Sequence, residues 1–144
     1  MRLTLINDPG HGWLSVPIKA IKDAGITDKV SRYSYMTPTR VYLEEDCDLL
    51  LFIKATGLEL EGVRDTYSDN LSSCRGYGTY DPYWIHNPLK MGSAVKVHGD
   101  EQIYTVREIG KRHIIIRHKD TIFRVPKDRA FRYLRIPSEQ REEG

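Results

Sequence analysis

The 144-residue sequence contains little cysteine and no long apolar run. Its two cysteines, Cys47 and Cys74, form no C-x-x-C pair and are too few for a zinc site built on cysteine alone. The longest apolar run, 49–53, is far shorter than the roughly 20 residues that a membrane-spanning helix needs. The N-terminus lacks the apolar core and the cleavage site of a secretory signal. We therefore expect a cytoplasmic protein with free thiols and no membrane partner.

A diagnostic catalytic motif is also missing. The stretch DPGHGWLSVP (8–17) leads into a strand and not a helix, so it does not match a phosphate-binding loop; its Pro-Gly pair predicts a type II turn at a hairpin tip. The acidic run EEDCD (44–48) lacks the alternating oxygen ligands and the central glycine of a calcium loop, and its carboxylates oppose a thiolate. This run is typical of acidic residues that complement a helix dipole. We predict no catalytic residue, no metal and no cofactor.

What the sequence does have is a pronounced charge asymmetry. Residues 1–89 carry 9 basic and 12 acidic side chains, a net charge of −3, whereas residues 90–136 carry 12 basic and 5 acidic ones, a net charge of +7. The composition, 40% hydrophobic and 29% charged, is that of a globular protein. The basic C-terminal part therefore indicates an acidic partner, such as nucleic acid.

The first part of the chain predicts an α+β domain over residues 1–67. Short strand-like runs rich in Val, Leu and Tyr alternate with two apolar helical stripes, which predicts the order ββαββα and a further strand near LELEGVRDTY (58–67). We expect an antiparallel sheet that carries both helices on one face. Trp13 is predicted as a core anchor.

The stretch 68–92 differs in character, because it is rich in Gly, Pro, Ser and aromatic residues without regular periodicity. We predict a long loop or linker of functional importance. Large rigid rings next to an arginine are common in interface hot spots and are also the side chains on which bases stack. Its candidate binding residues are Arg75, Tyr77, Tyr80, Tyr83 and Trp84; we weigh Trp84 equally as a ring that covers the sheet.

Residues 93–137 predict a small all-β barrel with five strands and one helical turn before the last strand, and residues 138–144 form an acidic tail. The pattern resembles the barrels of Tudor and KOW modules. Four of its cations, Lys96, Arg107, Arg117 and Arg124, alternate with apolar neighbours and should point outward. The candidate nucleic-acid or partner-binding residues of this barrel are Arg107, Arg112, Arg117, Lys119 and Arg124.

The segments DPGHGWLSVP, DKVSRYSYM and VYLEEDCDLLLFI resemble a group of small uncharacterised proteins of bacteriophages and other mobile elements. The resemblance covers about the first 55 residues and implies a context, the cytosol of a bacterial host, without implying an activity.

Three functional hypotheses follow. The first is a non-enzymatic accessory protein that binds nucleic acid or a host protein and counters a host defence. The second is a sponge for a small signalling nucleotide, which would use Arg75, the tyrosines and His86. The third is a hydrolase that depends on His11, His86, Cys47 or Cys74. The sequence leaves a homo-oligomer open under each of them.

Overall fold

Alternating apolar and polar residues build two sheets in this protein, whose computed structural model describes residues 1–137. The α+β class is confirmed, whereas the predicted acidic tail 138–144 lies outside the described residues. The strands are β1 Thr4–Asn7, β2 Gly12–Pro17, β3 Tyr35–Met36, β4 Arg40–Glu44, β5 Arg64–Tyr67, β6 Gly78–Thr79, β7 Ala94–Val97, β8 Tyr104–Ile109, β9 His113–His118, β10 Thr121–Pro126 and β11 Leu134–Arg135. The helices are α1 Ile18–Asp23, α2 Asp48–Thr56, α3 Tyr83–His86 and α4 Ala130–Tyr133, with short 3-10 helices at Ser73–Gly76 and Lys127–Arg129.

The first sheet has six strands in the order β5-β1-β2-β4-β3-β6. Its pairs are antiparallel except for β1 and β5, which run parallel because the chain crosses over through α2 before it returns to the sheet edge. Both predicted helices are present. Gly57, with a φ of 73°, ends α2 in the left-handed conformation that glycine adopts readily.

The two faces of this sheet bury different residues. Leu14 and Val16 on β2 and their partners Leu43 and Val41 on β4 lie in the main core with α1 and α2. Because side chains alternate along a strand, Trp13 points to the opposite face, where it is buried in a second cluster that includes Tyr42 and Cys74. The prediction that both helices lie on one face is confirmed, and the Ser73–Gly76 segment contributes to the other face.

Two local expectations are wrong. Gly10 has no positive φ, so the tip of the β1–β2 hairpin is not a type II turn; the Asp8 carboxylate instead accepts the backbone N–H groups of Gly10 and His11. The stretch KVSRYSYM (29–36), one of the runs rich in Val and Tyr that we predict as a strand, forms a strand only at Tyr35–Met36. Its earlier residues form turns that the buried Asp48 carboxylate holds by hydrogen bonds from the Ser31 and Ser34 hydroxyls.

The second sheet has five strands in the order β10-β9-β8-β7-β11 and curls into a half-barrel, as predicted for a small barrel. Strands β7 to β10 form an antiparallel meander, and the chain then passes through the Lys127–Arg129 turn and α4 before β11 pairs with β7. A β-bulge at Arg107 interrupts the register between β8 and β9.

The segment 68–92, which we predict as a loop or linker, contains the Ser73–Gly76 turn, β6 and α3. Strand β6 pairs with β3 at the edge of the first sheet and packs against α4 of the barrel. Trp84 of α3 stacks on Phe131 of α4, with the ring centroids 4.6 Å apart. One continuous core cluster consequently contains buried residues of both sheets.

Gly78 allows the two sheets to approach each other closely. A Cβ atom at this position would lie only 2.6 Å from the carbonyl oxygen of Phe131 and would also clash with the neighbouring backbone carbon. The close approach of the two sheets therefore depends on the absence of a side chain at Gly78.

In the part of the chain that the structure covers, no helix has the length and apolar character required to cross a bilayer.

We predict that Gly78→Ala lowers the free energy of unfolding by about 1–3 kcal/mol, because overpacking forces β6 away from α4. Chemical denaturation measures this change. Gly76→Ala is the matched control, since its Cβ would meet the Arg129 side chain at 3.5 Å, an ordinary contact distance. Equal stabilities of the two variants would contradict the role assigned to Gly78.

Candidate functional site

The outer face of β9 and β10 carries the most coherent set of cations in the described chain. Ile114 and Ile116 of β9 point into the core, so Arg117 points outward; on β10, Arg124 likewise alternates with buried Val125. Arg117 lies opposite Ile122, and Arg124 is therefore its diagonal neighbour across the strand pair. Both arginines are exposed on the same face.

Further cations lie at both ends of this strand pair. Lys119 lies in the β9–β10 turn, and Lys111 and Arg112 lie in the β8–β9 turn. Lys127 is beside them, because its backbone N–H donates to the Arg112 carbonyl. We call this set the cationic ribbon; it consists of Lys111, Arg112, Arg117, Lys119, Arg124 and Lys127. A six-residue strand spans about 17 Å, so the ribbon is an extended surface and not a point site.

The ribbon cations are not neutralised by the acidic first half. Within residues 1–137, every ion pair involves other side chains, and none of these pairs joins the barrel to the first sheet. Glu108, Asp120 and Asp128 are close in sequence but form no ion pair with the ribbon in this part of the chain. The ribbon consequently presents a net positive charge to solvent.

Two exposed apolar side chains lie beside the ribbon, Ile122 on its face and Phe123 on the opposite face of β10. Ile122 is 58% exposed and Phe123 is 42% exposed, on a strand that forms one edge of the second sheet. The Phe123 ring lies 5.4 Å from that of Tyr104, so one face packs on the barrel while the rest faces solvent. This combination of cations and a ring suits contacts to both phosphates and bases.

A second cationic region lies where the two sheets meet. A groove of about 680 Å³ runs between β3, β6 and the α4–β11 segment, and we call it the junction groove. Four arginines line it, namely Arg32, Arg75, Arg132 and Arg135, together with the rings of Tyr35 and Tyr77. Arg75 and Arg135 are engaged by carboxylates, whereas Arg32 and Arg132 form no ion pair in residues 1–137.

The aromatic candidates of the 68–92 segment are largely structural. Tyr80 is 1% exposed and its hydroxyl donates to the Thr27 carbonyl, and Trp84 is 6% exposed under Phe131. Tyr83 packs edge-on against Trp84. Tyr77 contacts Tyr42 on the far face of the first sheet, with the ring centroids 5.1 Å apart. Only half-buried Tyr77 and Tyr83 retain surface for a partner.

Arg75 is held by Asp8 in a bidentate pair. Its Nε and Nη2 donate to the two carboxylate oxygens at 2.7 and 2.9 Å, and the backbone N–H of Ser72 donates to the same group. Arg75, followed by the backbone donors, holds the pKa of Asp8 well below its usual value of 3.8 despite burial, and Asp8 in turn raises the pKa of Arg75. The guanidinium also lies over the Trp13 ring, 5.0 Å from its centroid. Arg75 therefore acts first as a structural anchor.

The thiols and His86 are not assembled into a nucleophilic pair. Burial raises the pKa of the Cys74 thiol, and desolvation together with the Glu44 carboxylate raises the pKa of the Cys47 thiol. Both cysteines are free and are held in the protonated, weakly nucleophilic form. His86 pairs with Asp28 at 2.8 Å on the surface.

The structure also changes the assignment of individual cations. Lys96, predicted to point outward, is 6% exposed because it pairs with Glu101 beside β11, which covers that side of β7. Arg107 lies in the bulge and is exposed, as expected. Arg32 was not foreseen as a groove residue, since no local pattern places it beside the barrel.

No family model, curated protein or solved structure matches this chain.

We predict that Asp8→Asn lowers the free energy of unfolding at neutral pH. The difference in this free energy between the variant and the wild type should become smaller at acidic pH. Because the pKa of Asp8 is lowered in the folded state, its charge stabilises the fold above about pH 4, and this contribution is lost as the pH falls below the usual value of 3.8. Urea denaturation between pH 7 and pH 2.5 measures both curves. The control is Asp69→Asn, at an exposed position. If the unfolding free energies of Asp8→Asn and the wild type change in parallel with pH, the stabilising role of the Asp8 charge is refuted.

Proposed function

We propose that the protein is a non-enzymatic binding protein that contacts the phosphate backbone of nucleic acid through the cationic ribbon. The observation that carries this proposal is the alignment of Arg117 and Arg124 on one outward face, free of acidic partners in the described chain. Arginines without an acidic partner can neutralise phosphates, and each such contact releases counterions that are condensed on the nucleic acid, which drives binding.

The shape of the ribbon supports a polymeric ligand. The cations follow two strands for about 17 Å instead of converging on one point, as a single phosphate would require. Exposed Ile122 lies between Arg117 and Arg124 on the outer face, and partly exposed Phe123 lies at the adjacent sheet edge, where it can contact a sugar or a base. Because the cations are spread along two extended strands, we expect them to contact mainly phosphates and to give little sequence preference.

The proposal also has a cellular context. The resemblance of the first 55 residues to bacteriophage and mobile-element proteins suggests action in the cytoplasm of a bacterial host, where the protein would mask nucleic acid from a defence system or modulate a host machine by binding to it. The two free thiols are consistent with that reducing compartment. An acidic host protein is the alternative partner.

We predict that Arg117→Glu with Arg124→Glu weakens binding to a labelled 20-nucleotide DNA, single- or double-stranded, by more than tenfold near 100 mM salt. Removing two phosphate contacts should also reduce the slope of log K against log salt by about 2. Fluorescence anisotropy at several salt concentrations measures both quantities.

The matched control is Lys29→Glu with Lys54→Glu, which changes the charge equally at exposed positions of the first half. This control should retain the wild-type affinity within about threefold. Equal losses in both double variants would show that only net charge matters. Absence of DNA and RNA binding by the wild type would overturn the proposal and favour a host protein.

The junction groove favours a second candidate function, capture of a small nucleotide. Four arginines and two tyrosine rings in about 680 Å³ provide charge for phosphates and faces for a base. Arg75 and His86, which we predicted for this role, are bound by Asp8 and Asp28, so Arg32 and Arg132 would supply the free charge.

We predict for this candidate that mono- or cyclic dinucleotides raise the melting temperature of the wild type but not that of Arg32→Glu with Arg132→Glu. The ribbon variant should respond like the wild type, which separates the two functions. A melting temperature unmoved by a nucleotide panel would exclude nucleotide capture.

A further inference from the structure

Two segments distant in sequence bring three metal-ligating side chains together. Trp13 of β2 lies opposite Glu44 of β4, so the β1–β2 hairpin tip is next to the connection from β4 to α2. The Nδ1 atom of His11 is 3.7 Å from Oε1 of Glu44. One ligand atom from each of His11, Glu44 and Asp46 lies within 4.8 Å of the others.

Glu44 is held in place by the backbone. Its Oε2 accepts the backbone N–H groups of Asp46 and Cys47, both at 3.0 Å, while Oε1 faces His11. The residue is 7% exposed, so this carboxylate is positioned by the fold and is not a mobile surface group. The Oε1 atom faces the His11 ring and can act as a ligand.

His11 is positioned from the other side. The Asp8 carboxylate accepts its backbone N–H at 3.0 Å, and the Asp8 N–H donates to its carbonyl at 2.9 Å. The hairpin tip is tied to the acidic connection by a bond from the Glu45 N–H to the Gly12 carbonyl. Hydrogen bonds that involve the backbone therefore bring the metal-ligating side chains together without a bound ion.

The three metal-ligating side chains line a pocket. Trp13 also lines this pocket, and its indole N–H has no hydrogen-bond acceptor in residues 1–137. The pocket, of about 330 Å³, is lined by His11, Glu44, Asp46, Cys47, Arg75 and three aromatic residues that include Trp13. Trp13 is 2% exposed, and its indole Nε1 is the one buried side-chain polar atom within residues 1–137 that has no partner. A buried donor without an acceptor is costly, which indicates an oxygen that the protein itself does not supply.

We propose that His11, Glu44 and Asp46 bind one divalent first-row transition-metal ion, with Zn²⁺ and Mn²⁺ as the best matches. One imidazole nitrogen and two carboxylate oxygens favour these ions over Mg²⁺ and Ca²⁺, which prefer oxygen ligands alone. Three protein ligands leave a coordination position open for water or for an oxygen of a ligand in the pocket.

The test is a titration of the purified 144-residue chain with Zn²⁺ and with Mn²⁺, in which calorimetry measures binding. For Mn²⁺, the loss of the electron paramagnetic resonance signal of the free ion gives a second measurement. We expect one equivalent per chain. His11→Ala and Asp46→Asn should each weaken binding by more than tenfold, and these exposed positions tolerate the changes. Glu44→Gln should weaken binding equally, while its amide oxygen still accepts the two backbone N–H groups.

His86→Ala is the matched control, because His86 also pairs with a carboxylate, Asp28, but lacks a third ligand. It should bind the metal like the wild type. Cys47→Ser should also retain binding, since the thiol lines the pocket but is not one of the three ligands. Loss of binding in either control would overturn the proposed ligand set.

A second readout is spectroscopic. In a Trp84→Phe background Trp13 is the only tryptophan, and Mn²⁺ bound nearby should quench its fluorescence in proportion to occupancy. The proposal is wrong if millimolar Zn²⁺ and Mn²⁺ leave the wild-type signals unchanged, or if His11→Ala binds as tightly as the wild type.

Discussion

The pair between Asp8 and Arg75 is the interaction on which the far face of the first sheet depends. The two carboxylate oxygens accept five hydrogen bonds, from the Arg75 guanidinium and from the backbone N–H groups of Gly10, His11 and Ser72. A buried charge is tolerated only when its geometry and hydrogen bonds are this complete. One carboxylate thereby joins a hairpin tip to a segment more than 60 residues away.

Several other features follow from this constraint. It places the Arg75 guanidinium over Trp13 and holds the Ser73–Gly76 turn, which contains Cys74, near Tyr42, so the second apolar cluster is covered. It also determines the backbone at His11. The same contact explains why Arg75, a residue type common in binding sites, has fewer hydrogen-bond donors left for a ligand.

The strands of the barrel could be predicted because each has a local cause. Ile114 and Ile116 lie two positions apart in a run bounded by His113 and Arg117, and Phe123 and Val125 have the same period in β10. Sequence could not predict contacts that depend on residues far apart, such as the parallel pairing of β1 with β5 or the position of Arg32 beside the barrel. Tyr80 and Trp84 were hard to assign for a related reason, since a ring in a Gly-rich stretch is equally suited to a core and to an interface.

The acidic run 44–48 shows how one local pattern can serve several purposes. From the sequence, complementarity to the helix dipole is a sufficient explanation for these carboxylates. In the structure, Asp48 accepts hydrogen bonds from the Ser31 and Ser34 hydroxyls, whereas Glu44 accepts the Asp46 N–H and faces His11. Neighbouring carboxylates thus point to different partners because the chain reverses direction between them.

The continuous core has an evolutionary consequence. A basic barrel transferred by recombination at residue 92 would arrive with Phe131 uncovered and without the glycine against which α4 rests. A transfer of the barrel to another gene would therefore have to include residues 78–137 as one piece, so that the edge strand and the Trp84 ring stay with the barrel.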